Sequence, residues 1–203
     1  WIPLIEEWAW WLMNEAPRTE EGGLQHITAE ADNEGQLWDD TLFMAVLFLA
    51  EAGTLLQNKD MQEEAARQFF LHEQYLVDQR TGLWYHGFSF LGRHHFGQVF
   101  WARGNCWITL AVPELVSRLE MNQEIRDRMI QIYNNQVQAL KACQDNSGLW
   151  HTVLDDETSY LEASASAGIG AGILMGTEMG ILPPENRDAG LKPLKRLIEL
   201  TDE

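Results

Sequence analysis

The sequence predicts an all-α fold built from helical hairpins arranged in an inner and an outer layer. Three observations favour this class. Nearly uncharged stretches alternate with stretches of helical periodicity, strand-like alternation is scarce, and a short motif recurs three times. A chain of 203 residues fits one domain with a sizeable core, so residues 1–203 are taken as a single domain.

The repeated motif is a glycine and a leucine followed closely by a histidine. It occupies residues 23–26, 82–86 and 148–151. Each copy precedes a long polar loop and then an uncharged stretch, so the copies mark equivalent hairpins. Long ordered loops in compact domains are usually functional. The chemistry is therefore expected at the rim where these loops lie.

The inner helices are predicted at residues 41–50, 104–112 and 163–176. They are apolar or small on all sides, as is typical of helices buried on all sides. They are too short to cross a bilayer, which takes about 20 apolar residues. In the third stretch the small residues indicate close helix packing, because no strand precedes them as a nucleotide-binding motif requires.

The outer helices are predicted at residues 60–77, 123–141 and 188–200. Apolar residues recur there at helical intervals with charged residues between them, which indicates one buried and one solvent-exposed face. Residues 1–13 are apolar at nearly every position, so this segment needs a packing partner.

Composition narrows the classes of partner. The formal net charge of −17 disfavours binding to nucleic acid or to an anionic membrane surface. With only Cys106 and Cys143, the chain has no disulfide framework, and both are predicted to be free thiols. Nine tryptophans suit a sugar-binding cleft, but they suit an apolar core as well.

Three segments at the starts of the inner helices carry a family resemblance. They read WDDTLFM at residues 38–44, FWARGNCW at 100–107 and SYLEASASA at 159–167. Together they resemble glycoside hydrolase family 105, the unsaturated rhamnogalacturonyl hydrolases, which are related to the unsaturated glucuronyl hydrolases of family 88. The match runs through most of the chain in the family's order.

The resemblance implies a six-hairpin (α/α)6 barrel, incomplete in this chain, with residues 1–203 as its central to C-terminal part. It implies a glycoside hydrolase acting on unsaturated galacturonyl-rhamnose disaccharides from pectin by hydration of the C4=C5 double bond. The implied partner is a small unsaturated oligosaccharide, without a cofactor, and the implied location is cytoplasmic. The sequence does not indicate an oligomeric state.

Asp40 matches the family's catalytic acid/base. The reaction needs a carboxyl that donates a proton and then takes one back from water, and burial or a second carboxylate would favour its protonated form. The alternative role for Asp40 is to cap the helix. Neighbouring helical residues point to different faces, so Asp39 is predicted to be an N-cap. The resemblance implies that the family's partner carboxylate belongs to an earlier hairpin, which we expect to lie outside this sequence.

His86 matches a family residue that faces the substrate, and an imidazole can both donate and accept hydrogen bonds. His26 and His151 share its motif position and are predicted to pack within their loops. His94 and His95 suggest a metal, but no third ligand stands at a recognisable interval. No metal site is therefore predicted.

Arg103 has a planar guanidinium that fits a uronate carboxylate, with an internal salt bridge as the alternative. Trp38, Trp101 and Trp107 are predicted to form walls on which sugars stack, with core packing as the alternative. Trp84 and Trp150 are predicted to anchor loops, and residues 159–162 resemble a capping box ending at Glu162. Structural and functional roles stay equally open for Glu162 and Ser164.

Three hypotheses follow. The first is the hydrolase, with Asp40 as acid/base, His86 assisting and Arg103 holding the carboxylate. The second is a non-catalytic, truncated relative that binds acidic oligosaccharides. The third is a helical-repeat interaction protein whose tryptophans all lie in the core.

Overall fold

The computed structural model describes residues 1–201, and within them the chain is mostly helical. All six predicted inner and outer helices are confirmed, with ends that differ by several residues. The helices are α1 (Ile2–Asn14), α2 (Leu47–Leu55), α3 (Lys59–Leu76), α4 (Ala102–Arg118), α5 (Gln123–Ala142), α6 (Ala163–Glu178) and α7 (Arg187–Thr201). A π-helix, Leu42–Val46, leads into α2, and a 3-10 turn, Pro184–Asn186, leads into α7.

The inner helices are α2, α4 and α6, and α4 packs against both of the others. The contact between α4 and α6 is close because α6 presents glycines. A Cβ atom at Gly172 would lie 2.3 Å from the carbonyl oxygen of Thr109, and one at Gly168 would lie 2.1 Å from Sγ of Cys106. The predicted role of these small residues in close packing is confirmed.

The outer helices α3, α5 and α7 pack on α2, α4 and α6 respectively. Asparagine side chains cap two of them. Asn58 accepts a hydrogen bond from the backbone N of Met61, and Asn122 accepts one from Ile125. In α5, Tyr133 is fully buried and donates a 2.6 Å hydrogen bond to the carbonyl oxygen of Gly172, which ties the outer layer to the inner one.

One rim carries a small antiparallel sheet of β1 (Gln36–Trp38), β2 (Gly87–Ser89) and β3 (His94–His95), in that order. The predicted helical class holds for most of the described residues, and this small sheet is a feature that the prediction did not include. Strands of two or three residues are too short to show alternation in sequence. The sheet joins the loops of the first two hairpins at the rim.

The second and third copies of the repeated motif are held in place by polar side chains of the inner helices. Asn105 accepts a 2.9 Å hydrogen bond from the backbone N of Trp84 and donates one to its carbonyl oxygen. Ser166 accepts a 2.9 Å bond from the backbone N of Trp150 in the third copy. Both tryptophans are fully buried, so their predicted role as loop anchors is confirmed.

Helix α1 buries Ala9 and Leu12 against the core. Trp8 and Trp10 in this helix, and Trp1 directly before it, are more than half exposed. No helix within residues 1–201 is long and apolar enough to traverse a bilayer. Both cysteines are free thiols, as predicted. The incomplete barrel stays a prediction.

Candidate active site

The site forms where the pairing of β1 and β2 ends. Trp38 is paired with Gly87, and the next backbone N–H, that of Asp39, donates a 3.0 Å hydrogen bond to the carbonyl oxygen of His86. The chain then turns into a helix at Asp40. The sheet register therefore brings two neighbouring carboxylates from the first hairpin against a histidine from the second.

Asp39 is completely buried, and its Oδ1 accepts a 2.9 Å hydrogen bond from Nδ1 of His86. Its Oδ2 lies against α4, where a Cβ on Gly104 would come within 2.0 Å of it. Asp39 stands directly before the first helical residue, but its carboxylate binds an imidazole instead of helix N–H groups, so the predicted side-chain cap is wrong.

Asp39 and His86 shift each other's pKa. Burial raises the pKa of Asp39 to about 8, against the opposing hydrogen bond and charge of His86. Burial by itself lowers the pKa of His86, but the hydrogen bond and charge of Asp39, together with the charge of Asp40, raise it overall. Because each group shifts the pKa of the other, the two titrate as a coupled pair.

Asp40 lies beside this pair, with its Oδ2 3.4 Å from Nδ1 of His86. Its side chain keeps 19% exposure, whereas that of Asp39 keeps none. Oδ2 of Asp40 has no hydrogen-bond partner among residues 1–201. The structure thus brings the two predicted catalytic residues, Asp40 and His86, together and leaves Asp40 as the carboxyl reachable from solvent.

Aromatic rings surround the imidazole of His86. The ring of Trp38 lies 4.8 Å from it, and Trp101 meets it edge to face at 4.9 Å. Phe96 stands 5.7 Å from both Trp38 and His86. Two of the three predicted sugar-stacking tryptophans therefore flank the predicted catalytic histidine.

His26 also lies at the site. It stacks on Trp38 at 4.2 Å with nearly parallel rings, and its Nδ1 is 2.9 Å from Oγ1 of Thr41. Burial lowers the pKa of His26, although the charge of Asp40 opposes this. The predicted packing role of His26 holds, but the prediction missed that His26 lies beside the catalytic candidates. The motif position that His26 shares with His86 could have indicated this. His151 binds the carbonyl oxygen of Ser159 within its own loop.

Arg103, in the first turn of α4, lies over the ring of Trp101 at 4.8 Å. Its Nε donates a 2.7 Å hydrogen bond to Oε1 of Glu162, so the internal salt bridge named as the alternative is present. Its two terminal nitrogens have no hydrogen-bond partner in the described part of the chain, and the side chain is 41% exposed. The salt bridge therefore leaves part of the guanidinium open to an anion.

Glu162 is almost fully buried and accepts two further hydrogen bonds, from Oγ of Ser164 at 2.9 Å and Oγ1 of Thr152 at 2.6 Å. The capping-box interpretation is wrong, since Glu162 immediately precedes α6 and Ser159 donates to the carbonyl oxygen of Asp156 instead. No helix N–H group donates a hydrogen bond to the Glu162 carboxylate, which binds Arg103 instead.

Trp107, one turn further along α4 than Arg103, packs on Phe43 with ring centres 4.9 Å apart. Its Nε1 is buried without a hydrogen-bond partner among residues 1–201. The described contacts of Trp107 therefore place it against the π-helix, and its role as a sugar platform stays a prediction.

The side chains best suited to hold a cation are Asp39, Asp40 and His86, whose ligand atoms lie within 4.8 Å of one another. The nitrogen that faces both carboxylates is the Nδ1 that hydrogen-bonds Asp39. A metal ligand must be deprotonated, so this bond competes with metal binding. His95 is engaged elsewhere, with its Nε2 2.6 Å from the carbonyl oxygen of Tyr75. The absence of a metal stays a prediction.

The profile of Glycosyl Hydrolase Family 88 matches residues 1–203. The chain belongs to this family. It is 38% identical over 176 residues to the unsaturated rhamnogalacturonyl hydrolase YesR of Bacillus subtilis (strain 168), a match that covers 86% of this chain and 51% of YesR.

Solved structures agree with the family 88 assignment and with the resemblance to family 105. A possible member of the GH105 family from Salmonella enterica is 47% identical, with a TM-score of 0.95, and the match covers 97% of this chain and 53% of that one. A second possible member, from Klebsiella pneumoniae, is 44% identical with the same TM-score, and the match covers 98% of this chain and 52% of that one. The family 88 chain thus spans about half the length of these relatives.

The unsaturated glucuronyl hydrolase of Bacillus sp. GL1 is 20% identical, with a TM-score of 0.76, over 96% of this chain and 55% of that one. This likeness shows a shared helical fold.

Proposed function

We propose that the protein carrying this family 88 chain is a glycosidase that hydrates the C4=C5 double bond of an unsaturated uronic acid at the end of a short oligosaccharide. The observation that carries the proposal is the position of Asp40, a carboxyl reachable from solvent, with its Oδ2 3.4 Å from Nδ1 of His86 between two tryptophans.

We infer a galacturonyl-rhamnose disaccharide from pectin as the substrate. Two curated relatives support this class, being named unsaturated rhamnogalacturonyl hydrolase and unsaturated 3S-rhamnoglycuronyl hydrolase. The open nitrogens of Arg103 support it from the site, because a guanidinium fits a uronate carboxylate with paired hydrogen bonds. Trp38 and Trp101 offer flat apolar faces on which sugar rings stack.

The proposed reaction begins with a proton passing from the carboxyl of Asp40 to C4, which leaves positive charge on C5 and the ring oxygen. Water then adds to C5, and its proton returns to the Asp40 carboxylate. The resulting C5 hemiketal opens, the glycosidic bond at C1 breaks as the linked sugar leaves, and no other reactant is consumed. Asp40 thus acts first as general acid and then as general base. His86 contacts the attacking water or a substrate hydroxyl.

The proposal is tested by incubating the natural protein carrying this sequence with an unsaturated galacturonyl-rhamnose disaccharide and, separately, with its saturated counterpart. Hydration needs the alkene, so only the unsaturated disaccharide should be cleaved, with loss of the alkene absorbance. Cleavage of both disaccharides at comparable rates would show direct attack at the anomeric carbon. Tight binding without turnover would reject the enzyme in favour of the binding relative.

A further inference from the structure

The geometry points to Asp39 as a positioning residue of the site: it fixes the imidazole of His86 so that Nδ1 faces the interior and Nε2 faces the substrate. The family resemblance assigns no role of this kind to Asp39. The inference rests on the proposed function, because the oriented nitrogen is the one that meets the substrate or the attacking water.

Because its side chain is buried, Asp39 can act on a ligand only through another residue. Its side chain has no exposure, so it cannot touch a ligand, whereas the His86 side chain keeps 20% exposure. The Asp39 carboxylate accepts the 2.9 Å hydrogen bond from Nδ1 of His86 at its Oδ1, and Asp40 is a second polar side chain that acts on it. The environment of Asp39 therefore suits orientation of the imidazole.

Asp39 holds His86 at two points. Its backbone N–H donates to the carbonyl oxygen of His86 at 3.0 Å, while its carboxylate accepts from the ring. The first bond fixes the His86 backbone and the second fixes the rotation of its side chain. Trp38 and Trp101 limit the remaining freedom of the ring from its sides. Such support of a reactive group by fixed neighbours is how active sites keep their geometry.

The other ring nitrogen is free for chemistry. Nε2 of His86 has no hydrogen-bond partner in the described part of the chain and is in contact with solvent. With the proton of Nδ1 held by a carboxylate, Nε2 accepts a hydrogen bond when the ring is neutral and donates one when it is charged.

Gly104 makes room for this arrangement. A side chain at this position would bring its Cβ within 2.0 Å of Oδ2 of Asp39, with the carboxylate carbon at 2.9 Å. The absence of a side chain on this face of α4 is therefore a condition for the buried carboxylate. The positioning role can be disturbed from Gly104 without altering any group that titrates.

Other charged groups surround the pair and bear on any pH readout. Asp40 lies 3.4 Å from Nδ1 of His86. His26 adds a repulsive positive charge when protonated, and Cys106 of α4 interacts with the charges of Asp39 and Arg103. Removal of Asp39 leaves all of these in place, so a change in the titration of His86 is attributable to Asp39.

The test measures the titration of His86 by NMR in the natural protein and in Asp39→Asn, with Asp32→Asn, an exposed site in a loop, as the matched control. The hydrogen bond and charge of Asp39 both raise the pKa of His86, so their loss should lower that pKa. The asparagine oxygen can still accept from Nδ1, so the tautomer should be kept. A titration of His86 that does not differ between Asp39→Asn and the control would overturn the positioning role.

Kinetics add a second readout. Asp39→Ala removes the acceptor, so kcat should fall by about tenfold or more while KM changes little, and Asp39→Asn should recover part of this loss. Gly104→Ala should move the pH dependence in the same direction as Asp39→Asn. Unchanged kcat and pH profile in all three, with folding verified by circular dichroism, would contradict the inference. The NMR titration needs no turnover, so failure of the proposed function and failure of this inference give different results.

Discussion

Nε of Arg103, in the first turn of α4, donates a 2.7 Å hydrogen bond to Oε1 of Glu162, which immediately precedes α6. The pair joins two of the rim segments that carry the family resemblance. Because Glu162 is buried and Arg103 is 41% exposed, the ion pair both secures the rim and leaves guanidinium nitrogens open. Two predictions follow from this arrangement.

Glu162→Gln should destabilise the protein by about 1–2 kcal/mol, since it weakens charge-assisted hydrogen bonds from Arg103, Ser164 and Thr152. The expected loss of stability is small because the Arg103 side chain is partly exposed to solvent, which weakens its ion pair. Urea unfolding measures the change. Glu199→Gln, at the exposed pair with Arg196, is the control and should give no measurable change. Equal effects at the two sites would contradict a structural role for Glu162.

Arg103→Lys should raise KM for an unsaturated uronate by about tenfold and change kcat little, because lysine keeps the charge but loses the planar fork. Steady-state kinetics with the intact disaccharide test this. Arg118→Lys, where the arginine pairs with Glu51 away from the site, is the matched control. A KM for Arg103→Lys equal to that of the control would remove Arg103 from substrate binding.

His72 makes stability depend on pH. It is fully buried in α3, and burial lowers its pKa to about 4 from 6.5, against the hydrogen bond to the carbonyl oxygen of Gln68. Between these values the unfolded chain binds a proton that the folded chain excludes, so stability falls as pH falls.

Relative to His72→Leu, the parent should therefore lose about 2 kcal/mol more stability between about pH 7 and pH 5. Urea unfolding at both values measures the difference. His94→Leu, an exposed histidine, should behave like the parent. A parallel loss of stability in the parent and His72→Leu would show that His72 does not couple folding to pH.

Gly172→Ala should destabilise by about 1–3 kcal/mol, because the new methyl group meets the carbonyl oxygen of Thr109 and α4 and α6 must separate. In an open helical position the same change would stabilise by about 0.5–1 kcal/mol. Thermal unfolding shows whether Gly172→Ala lowers or raises the stability, with Glu178→Ala at an exposed position as control. An increase in stability would contradict the close packing of these helices.

The helices were predictable because burial imposes a period on long segments, as in α3 and α5, and because residues such as Gly168 and Gly172 mark a close helix contact. The sheet was not predictable, since its strands of two or three residues leave no alternation. The pairing of Trp38 with Gly87 depends on contacts between distant loops, which local sequence does not encode.

The site was predictable to a similar extent. The motifs indicated Asp40 and His86, and the structure brings the two together. The role of Asp39 was missed because the prediction treated Asp39 and Asp40 as helical neighbours, whose side chains diverge. Asp39 instead lies between β1 and the helix, and both carboxylates approach Nδ1 of His86, at 2.9 and 3.4 Å. The residue at which the helix begins determines where the two carboxylates point. Helix ends are the least certain part of a sequence-based assignment.

Asp40→Asn in the natural protein, followed by the loss of alkene absorbance of an unsaturated galacturonyl-rhamnose disaccharide, tests the central claim most directly. Asparagine keeps the shape of the side chain but has no proton to transfer to C4. The rate should fall by about 10²-fold or more, while Asp32→Asn should keep the parent rate. A rate for Asp40→Asn close to that of the parent would contradict the assignment of Asp40 as the acid.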